Sequence, residues 1–294
     1  DKAAARALFD RYVEHGGNFF DTADLYTNGT SEQWLGEFVR ESGLRDKAVL
    51  ATKFSYNGQP GNPNAGGNGR KNILRAVEGS LRRLGTDYID LYILHTWDTL
   101  TPADEVARTL DDLVRSGKVR YVGLSDVPAF YASRFATFAE LRGLEQPCSL
   151  QLEYSLIERS IEDEFVPLSR ATGMGIVVWS PLASGLLSGK YKPSSGRVEG
   201  RGRLATLAGS GNPAFEKFTE RNWTIVAELE RVAKELGRSM AQVALAWVLG
   251  RPGVASVIVG ATKLSQLDDN LAALDLQLPA ELAARLDAVS ARPS

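Results

Sequence analysis

Four side chains in the first third of the chain have the chemistry to pass a proton to a polar atom: Asp21, Tyr26, Lys53 and His95. A free phenol, with a pKa near 10, donates poorly at neutral pH unless its phenolate is stabilised. An ammonium within about 4–6 Å supplies that stabilisation, and a carboxylate keeps the ammonium charged and oriented. An imidazole can hold the oxygen that receives the proton. Taken singly, each residue has an ordinary structural reading: Asp21 and Lys53 as an ion pair, Tyr26 as a surface loop residue. The set gains meaning only if the fold gathers it in one place.

The elements able to do so are short apolar runs rich in β-branched residues, each followed by a helical pattern. They cover residues 18–21, 48–53, 88–95, 119–125, 149–154, 175–180 and 256–260. Continuous hydrophobicity is what a parallel strand buried on both faces requires. Between them lie amphipathic stretches such as residues 71–84, with Ile73, Leu74, Val77, Leu81 and Leu84 at helical spacing. Gly85 is expected to end that helix in a left-handed conformation. The run ends Asp21, Lys53, His95, Ser125, Gln151, Trp179 and Gly260 are spaced by 32, 42, 30, 26, 28 and 81 residues. A βα unit takes about 30. The last interval holds an extra loop, residues 185–213, with seven Gly, two Pro and five Lys or Arg against one Glu. Helices over 221–236 and 240–249 follow it. Long irregular loops of this kind commonly serve as lids or binding loops.

Regular βα alternation makes either a doubly wound sheet or a barrel. The G-x-G-x-x-G fingerprint is absent after any strand, since Gly67 and Gly69 are followed by Asn72, and there is no P-loop. Polar chemistry sits instead at the C-terminal end of nearly every strand, where a barrel assembles its active site. The expected fold is therefore α/β, a (β/α)8 TIM barrel forming a single domain over residues 1–294. Seven strand signals appear and the chain opens inside a helix, so a first strand is expected upstream of Asp1.

Composition narrows the function classes. Hydrophobic residues make up 44% and charged residues 24%, an ordinary globular balance. Lys and Arg number 34 against 36 Asp and Glu, a net charge of −2, so no global basic field exists for nucleic acid or an anionic membrane. The N-terminus lacks the apolar core of a signal peptide, and no run approaches the ~18 apolar residues of a membrane span. A single Cys148 excludes an intrachain disulfide, and two histidines with one cysteine argue against a zinc site, so no metal is expected. A reducing, cytoplasmic setting is the expectation.

The segment GGNFFDTADLYTNGTSEQWLG resembles the signature of the aldo-keto reductases. So do LYILH, VGLSD, QLEYS, WSPLASGLLSGKY and GATKLSQLDDN, in order and at similar spacing from about Val13 to Leu274. The resemblance implies an NADPH-dependent reduction of an aldehyde or ketone, with NADH as the lesser cofactor and Tyr26 as general acid. It implies Asp21, Tyr26, Lys53 and His95 as the catalytic tetrad. Ser125, Asp126 and Gln151 match positions that hold the nicotinamide carboxamide, although the family usually has Asn or Arg at the Asp126 position. Trp179 matches the aromatic that stacks on the nicotinamide; core packing is its structural alternative.

Ser180, Pro181, Leu182, Ser184, Gly185, Leu187 and Lys190 match the pyrophosphate loop, and Arg203 matches a basic residue on the cofactor flap. A glycine-rich basic loop has a physical reason to lie over phosphates. Gly260, Thr262, Gln266, Asp269 and Asn270 match the adenosine end, with Asp269 in place of the usual glutamate. Many relatives have arginine where Gln266 stands, leaving Lys263 as the nearby cation. A helix expected over 264–274 would offer its N-terminal amides to a 2′-phosphate.

Trp34, Tyr56 and Trp97 lie near the expected mouth and could line a substrate pocket, with packing an equal reading; His15 is expected to be solvated or capping. The branch most resembled contains potassium-channel β-subunits, so a cofactor-binding regulatory subunit is the rival reading. His95 speaks against it, because those subunits tend to lack the tetrad histidine. A barrel of unrelated chemistry is the third possibility, since fold alone does not set function. The expected partner is a small carbonyl compound, with neither nucleic acid nor membrane.

Overall fold

Strands form where apolar runs meet, and each run ends on the side chain singled out above or within a few residues of it. The computed structural model describes residues 1–194, 197–211 and 215–292. It divides into two compact units, Asp1–Gln151 with Pro167–Gly175, and Leu152–Val166 with Ile176–Ser294.

The first unit opens with α1 (Lys2–Glu14) and then alternates strand and helix: β1 (Phe19–Asp21), α2 (Thr30–Glu41), β2 (Val49–Phe54), α3 (Arg70–Leu84), β3 (Ile89–Leu94), α4 (Ala103–Arg115), β4 (Val119–Ser125), α5 (Ala129–Arg142), β5 (Pro147–Glu153) and α6 (Phe165–Thr172). β1 to β5 pair in sequence order, every pairing parallel. This is the βα repeat that a (β/α)8 barrel is made of. Gly85 ends α3 at φ 64°, the left-handed cap expected of it.

Register decides which side chains meet. Asp21 lies beside Ala51, Lys53 beside Ile93, Ile93 beside Gly123, and Ser125 beside Gln151. Side chains alternate along a strand, so Phe19, Ala51, Leu91 and Ile93 share one face and pack as a buried apolar cluster. Two residues further on, that same face carries Asp21, Lys53, His95, Ser125 and Gln151. The apolar cluster is thus the floor on which the polar residues stand. The opposite face packs apolar side chains beneath the helices, including Phe54 against Tyr92 with centroids 4.8 Å apart.

The second unit contains β6 (Gly175–Trp179), the antiparallel pair β7 (Lys192–Ser194) and β8 (Arg197–Glu199), α7 (Arg203–Leu207), α8 (Glu220–Leu236), α9 (Met240–Leu249), β9 (Val254–Val257), α10 (Leu264–Leu271) and α11 (Ala280–Val289). β6 and β9 pair in parallel. The stretch expected to be one irregular loop over 185–213 contains a strand pair and a one-turn helix, elements too short to leave a periodic signal. Residues 195, 196, 212 and 213 of that stretch lie outside the described residues. β9 ends at Val257, so Gly260 lies three residues beyond it. No described helix is long and apolar enough to cross a membrane.

Candidate active site

Asp21 ends β1, and the chain after it stays laddered on β2: the Thr22 amide donates to Ala51 O at 2.9 Å and the Asp24 amide to Lys53 O at 3.1 Å. Ala23 is fully buried, and the Thr22 and Ser31 hydroxyls meet at 2.7 Å. The backbone then turns through Tyr26–Gly29, with Thr27 and Asn28 left-handed at φ 48° and 53°. A β-branched residue in that region is held against its preference, a form of strain that concentrates at functional sites. The turn leaves the Tyr26 ring 40% exposed.

Lys53 is fully buried, and an ammonium has three N–H donors. Nζ donates to Asp21 Oδ2 at 2.5 Å, to Thr22 O at 2.9 Å and to Tyr26 Oη at 3.4 Å. Asp21 Oδ1, which Lys53 leaves free, accepts from Gln151 Nε2 at 2.9 Å. His95 stands one residue past β3, its amide donating to Phe54 O and Ser55 Oγ. Its ring meets those of Tyr26 and Tyr56 edge-on, with centroids 5.8 and 4.9 Å apart. Burial, and secondarily the Lys53 charge, push the imidazole down to about 3, so it is neutral at physiological pH. The structure therefore brings Asp21, Tyr26, Lys53, His95 and Gln151 together.

Ser125 is buried, and its Oγ has no hydrogen-bond partner among the described residues; the same holds for His95 Nδ1. Such orphaned polar atoms are uncommon in native interiors, and each has hydrogen-bonding capacity left to offer a ligand or water. Asp126 is exposed at φ 45°, its amide donating to Gln151 O and its carbonyl accepting from the Trp97 amide. Trp34 lies half-buried in α2, while His15 is the exposed cap of α1 with its ring on Arg11 O.

In the second unit, Trp179 is the half-buried last residue of β6, and its carbonyl accepts from the Tyr154 amide. Beyond it Ser180, Ala183, Ser184 and Gly185 all have φ between 50° and 93°. Ser180 Oγ accepts from the Ser184 amide. Pro181 and Leu187 are buried and Leu182 half-buried, which anchors the turn. A Cβ on Gly185 would lie 2.4 Å from Lys190 Nζ, so the missing side chain is what lets this ammonium fold over the turn. A left-handed backbone beneath a cation is a concavity suited to anionic oxygens. α7 begins at Arg203, whose side chain lies outside what is described.

Gly260, Thr262, Lys263 and Gln266 are exposed around the start of α10, and no side chain caps that helix N-terminus. Gln266 Oε1 accepts from both the Thr262 amide and hydroxyl, each at 3.0 Å. Asp269 takes Ser239 Oγ at 2.9 Å and Gln242 Nε2 at 2.7 Å, fastening α10 to the start of α9. Asn270 is buried behind them. Two contributors had no signal in residue type. Thr22 acts through its carbonyl, and the Ser55 hydroxyl ties His95 to the loop after β2 by donating to Asn68 Oδ1.

The family model described as "Aldo/keto reductase family" matches residues 1–291. A probable voltage-gated potassium channel subunit beta of Oryza sativa subsp. japonica is 38% identical over 98% of this chain and 88% of its own length. The uncharacterized oxidoreductase YrpG of Bacillus subtilis is 36% identical over 100% of this chain and 89% of its own. The aldo-keto reductase ausK of Emericella nidulans is 34% identical, covering 98% and 73% respectively.

Proposed function

Because this chain belongs to the aldo/keto reductase family, we propose that it is an NADPH-dependent oxidoreductase reducing an aldehyde or ketone to an alcohol, with Tyr26 as the proton donor. The family supports carbonyl reduction with a nicotinamide cofactor in general terms. The observation that carries the finer reading is the buried Lys53 ammonium, whose three hydrogen bonds run to Asp21, the Thr22 carbonyl and the Tyr26 hydroxyl. A cation held in this way stabilises the negative charge left on Oη as the phenol gives up its proton.

Reduced nicotinamide, when bound, supplies the hydride that goes to the carbonyl carbon; the Tyr26 proton goes to the oxygen. Neutral His95, edge-on to Tyr26, orients the carbonyl oxygen toward Oη by hydrogen bonding. Asp21 holds the Lys53 ammonium in place.

Residues present in each unit fit the cofactor. The orphaned Ser125 Oγ, with Gln151 and the neighbouring Asp126, suits an amide group. The left-handed turn at Ser180–Gly185 beneath Lys190 suits the pyrophosphate. The uncapped start of α10, with Thr262, Lys263 and Gln266, suits the 2′-phosphate. Trp179 is assigned to the nicotinamide ring, Gly260 and Asn270 to the adenosine end, and Asp269 to holding α10 in place. One domain over residues 1–294 and a reducing, cytoplasmic setting complete the reading, the latter supported by the single Cys148.

The rice relative's name raises a second reading, a cofactor-binding regulatory subunit. NADPH consumption against a panel of aldehydes, ketones and keto-sugars separates the two. Turnover of any member supports the reductase, whereas tight NADPH binding with no turnover across the panel supports the regulatory subunit.

A further inference from the structure

The helix side of β1 to β3, the reverse of the face that carries Asp21, Lys53 and His95, holds a second group of charges. Thr52 and Tyr92 are neighbours of Lys53 and Ile93 along their strands and so point the other way. The Thr52 hydroxyl donates at 2.7 Å to Oε1 of the fully buried Glu32, and Arg83 Nε donates to its Oε2 at 2.6 Å. Arg83 is thereby matched. Arg75 instead meets neutral oxygens, its Nη2 donating to Ala65 O at 3.0 Å and to Asn72 Oδ1 at 2.6 Å. Nη1 of each arginine has no hydrogen bond among the described residues.

Both guanidinium groups line a cavity of about 370 Å³ between the turn after β1, the loop after β2 and α3. Arg75, Gly79 and Arg83 follow one another at intervals of four, along one stripe of α3. A Cβ on Gly79 would lie 2.9 Å from Arg83 Nη1, so the glycine leaves the room that this group occupies. Leu25 and Pro60 add apolar wall, and Asp24 a carboxyl group. Three buried polar atoms without a partner among the described residues belong to this group: Asp24 Oδ1, Arg75 Nε and the Tyr92 hydroxyl. Burial, then the Asp24 and Glu32 charges, push the Tyr92 phenol well above its ordinary value, which places it within electrostatic reach of both carboxylates. Each of the three keeps hydrogen-bonding capacity that the protein leaves unused.

We propose that this cavity binds a small organic oxyanion, a carboxylate or a phosphate monoester, with its oxygens on Nη1 of Arg75 and Arg83 and its carbon part against Leu25 and Pro60. Charge-assisted hydrogen bonds from guanidinium to such groups are among the strong ones. Asp24, Glu32, Arg75 and Arg83 cancel in charge while Asp24 is ionised, and leave one positive charge in excess once it takes a proton. Burial, then the Glu32 charge, raises the Asp24 carboxyl to about 6 against the opposing pull of Arg83 and Arg75. An oxyanion therefore gains from the neutral form of Asp24. Asp24 and Leu25 run directly into Tyr26, so the anion would lie against the segment that presents the phenol.

The test is calorimetric titration with benzoate and with phenyl phosphate at about pH 7.5, in saturating NADPH so that groups holding the cofactor phosphates are already occupied. At least one anion should bind with a Kd of about 1 mM or tighter, and the tighter of the two identifies the head group. Arg75→Gln should raise that Kd about tenfold or more. Gly79→Ala improves helix propensity and so keeps the fold; by displacing Arg83 Nη1 it should raise the Kd about threefold or more. Asp24→Asn, which removes a negative charge from the wall, should lower the Kd about threefold or more. Arg83 stays in place in every variant, because it satisfies the buried Glu32. No binding of either anion at about 10 mM, or a Kd unmoved by Arg75→Gln or by Gly79→Ala, would overturn the proposal. A Kd unmoved by Asp24→Asn would overturn it as well, since the anion would then lie away from that carboxyl. These are binding measurements, and their outcome is independent of whether the chain reduces a carbonyl.

Discussion

Gln151 and Asp21 lie 130 positions apart, yet the Gln151 amide donates at 2.9 Å to the one Asp21 oxygen that Lys53 does not occupy. Both carboxylate oxygens are therefore satisfied, and the Lys53 ammonium is braced through Asp21 by a strand on the far side of the first unit's sheet. Gln151 still has its carbonyl oxygen to offer to a ligand amide, since only Nε2 is used for Asp21.

Two variants should separate bracing from proton donation. Tyr26→Phe should lower turnover by about 10²-fold or more while NADPH affinity, read by titration, stays near that of the parent. Gln151→Leu should behave differently, because it leaves a largely buried carboxylate oxygen without its donor. It should cost about 1–3 kcal/mol in urea unfolding and weaken NADPH binding as well. Parent-like turnover in Tyr26→Phe would remove the phenol from the chemistry.

Two buried groups give opposing dependences of stability on pH. Burial and then Lys53 depress His95 to about 3, so below about pH 6.5 the unfolded chain binds a proton that the folded chain refuses. Stability on this account falls with pH, by up to about 1.4 kcal/mol per unit, until about pH 3. Asp24 has a buried Oδ1 with no partner among the described residues, and burial followed by the Glu32 charge raises its carboxyl to about 6. Here the folded state takes the proton first, and stability rises as pH falls from about 6 toward 4. Asp24→Asn should therefore stabilise the protein at pH 7 by on the order of 1 kcal/mol and steepen its acid loss. His95→Asn should flatten that loss. Urea midpoints at about pH 4.5, 5.5 and 7 will show whether the two variants move in opposite directions, as the sign of each shift requires.

Trp179 gives a spectroscopic handle. Stacked on a nicotinamide, it should be quenched when NADPH is added, and Trp179→Ala should lose most of the quench. An undiminished signal in that variant would assign the effect to another of the five tryptophans.

At the start of α10, Gln266 spends its side-chain oxygen on the Thr262 amide and hydroxyl, so Lys263 is the formal charge beside Thr262. Charge-assisted contacts to phosphate are about twice as strong as neutral ones. NADPH should be preferred over NADH by about 10- to 100-fold in kcat/KM, equivalent to about 1.4–2.7 kcal/mol. Gln266→Arg adds a charge and frees the Thr262 hydroxyl, so it should widen the preference, and rising salt should shrink it. An NADH preference in the parent would contradict the assignment of this turn to a 2′-phosphate.

What could be read from sequence follows the strength of local patterns. β2 and β3 are continuous apolar runs closing on a polar residue, so Lys53 and His95 were legible to within a residue of the strand ends. Gln151 was legible too, although it lies two residues inside β5. The end of β9 was not, because the apolar run continues to Val259 after the ladder stops at Val257, and the strand is largely only half-buried. β7, β8 and α7 span three to five residues each, fewer than two periods of the strand or helix pattern. The fastening of Asp269 to Ser239 and Gln242 joins residues about thirty apart through geometry alone, and no residue type announces it.

The shared face of Asp21, Lys53, His95, Ser125 and Gln151 makes the site a matter of parity. Each residue stands an even number of positions from the apolar floor beneath it, as Lys53 does from Ala51 and His95 from Ile93. Inserting or deleting one residue within β2 or β3 would turn the terminal side chain to the helix-facing side, whatever its identity. Length changes in residues 55–69, beyond the strand, carry no such penalty. The chain can therefore vary the loops that meet a substrate, while the strand lengths beneath them stay locked.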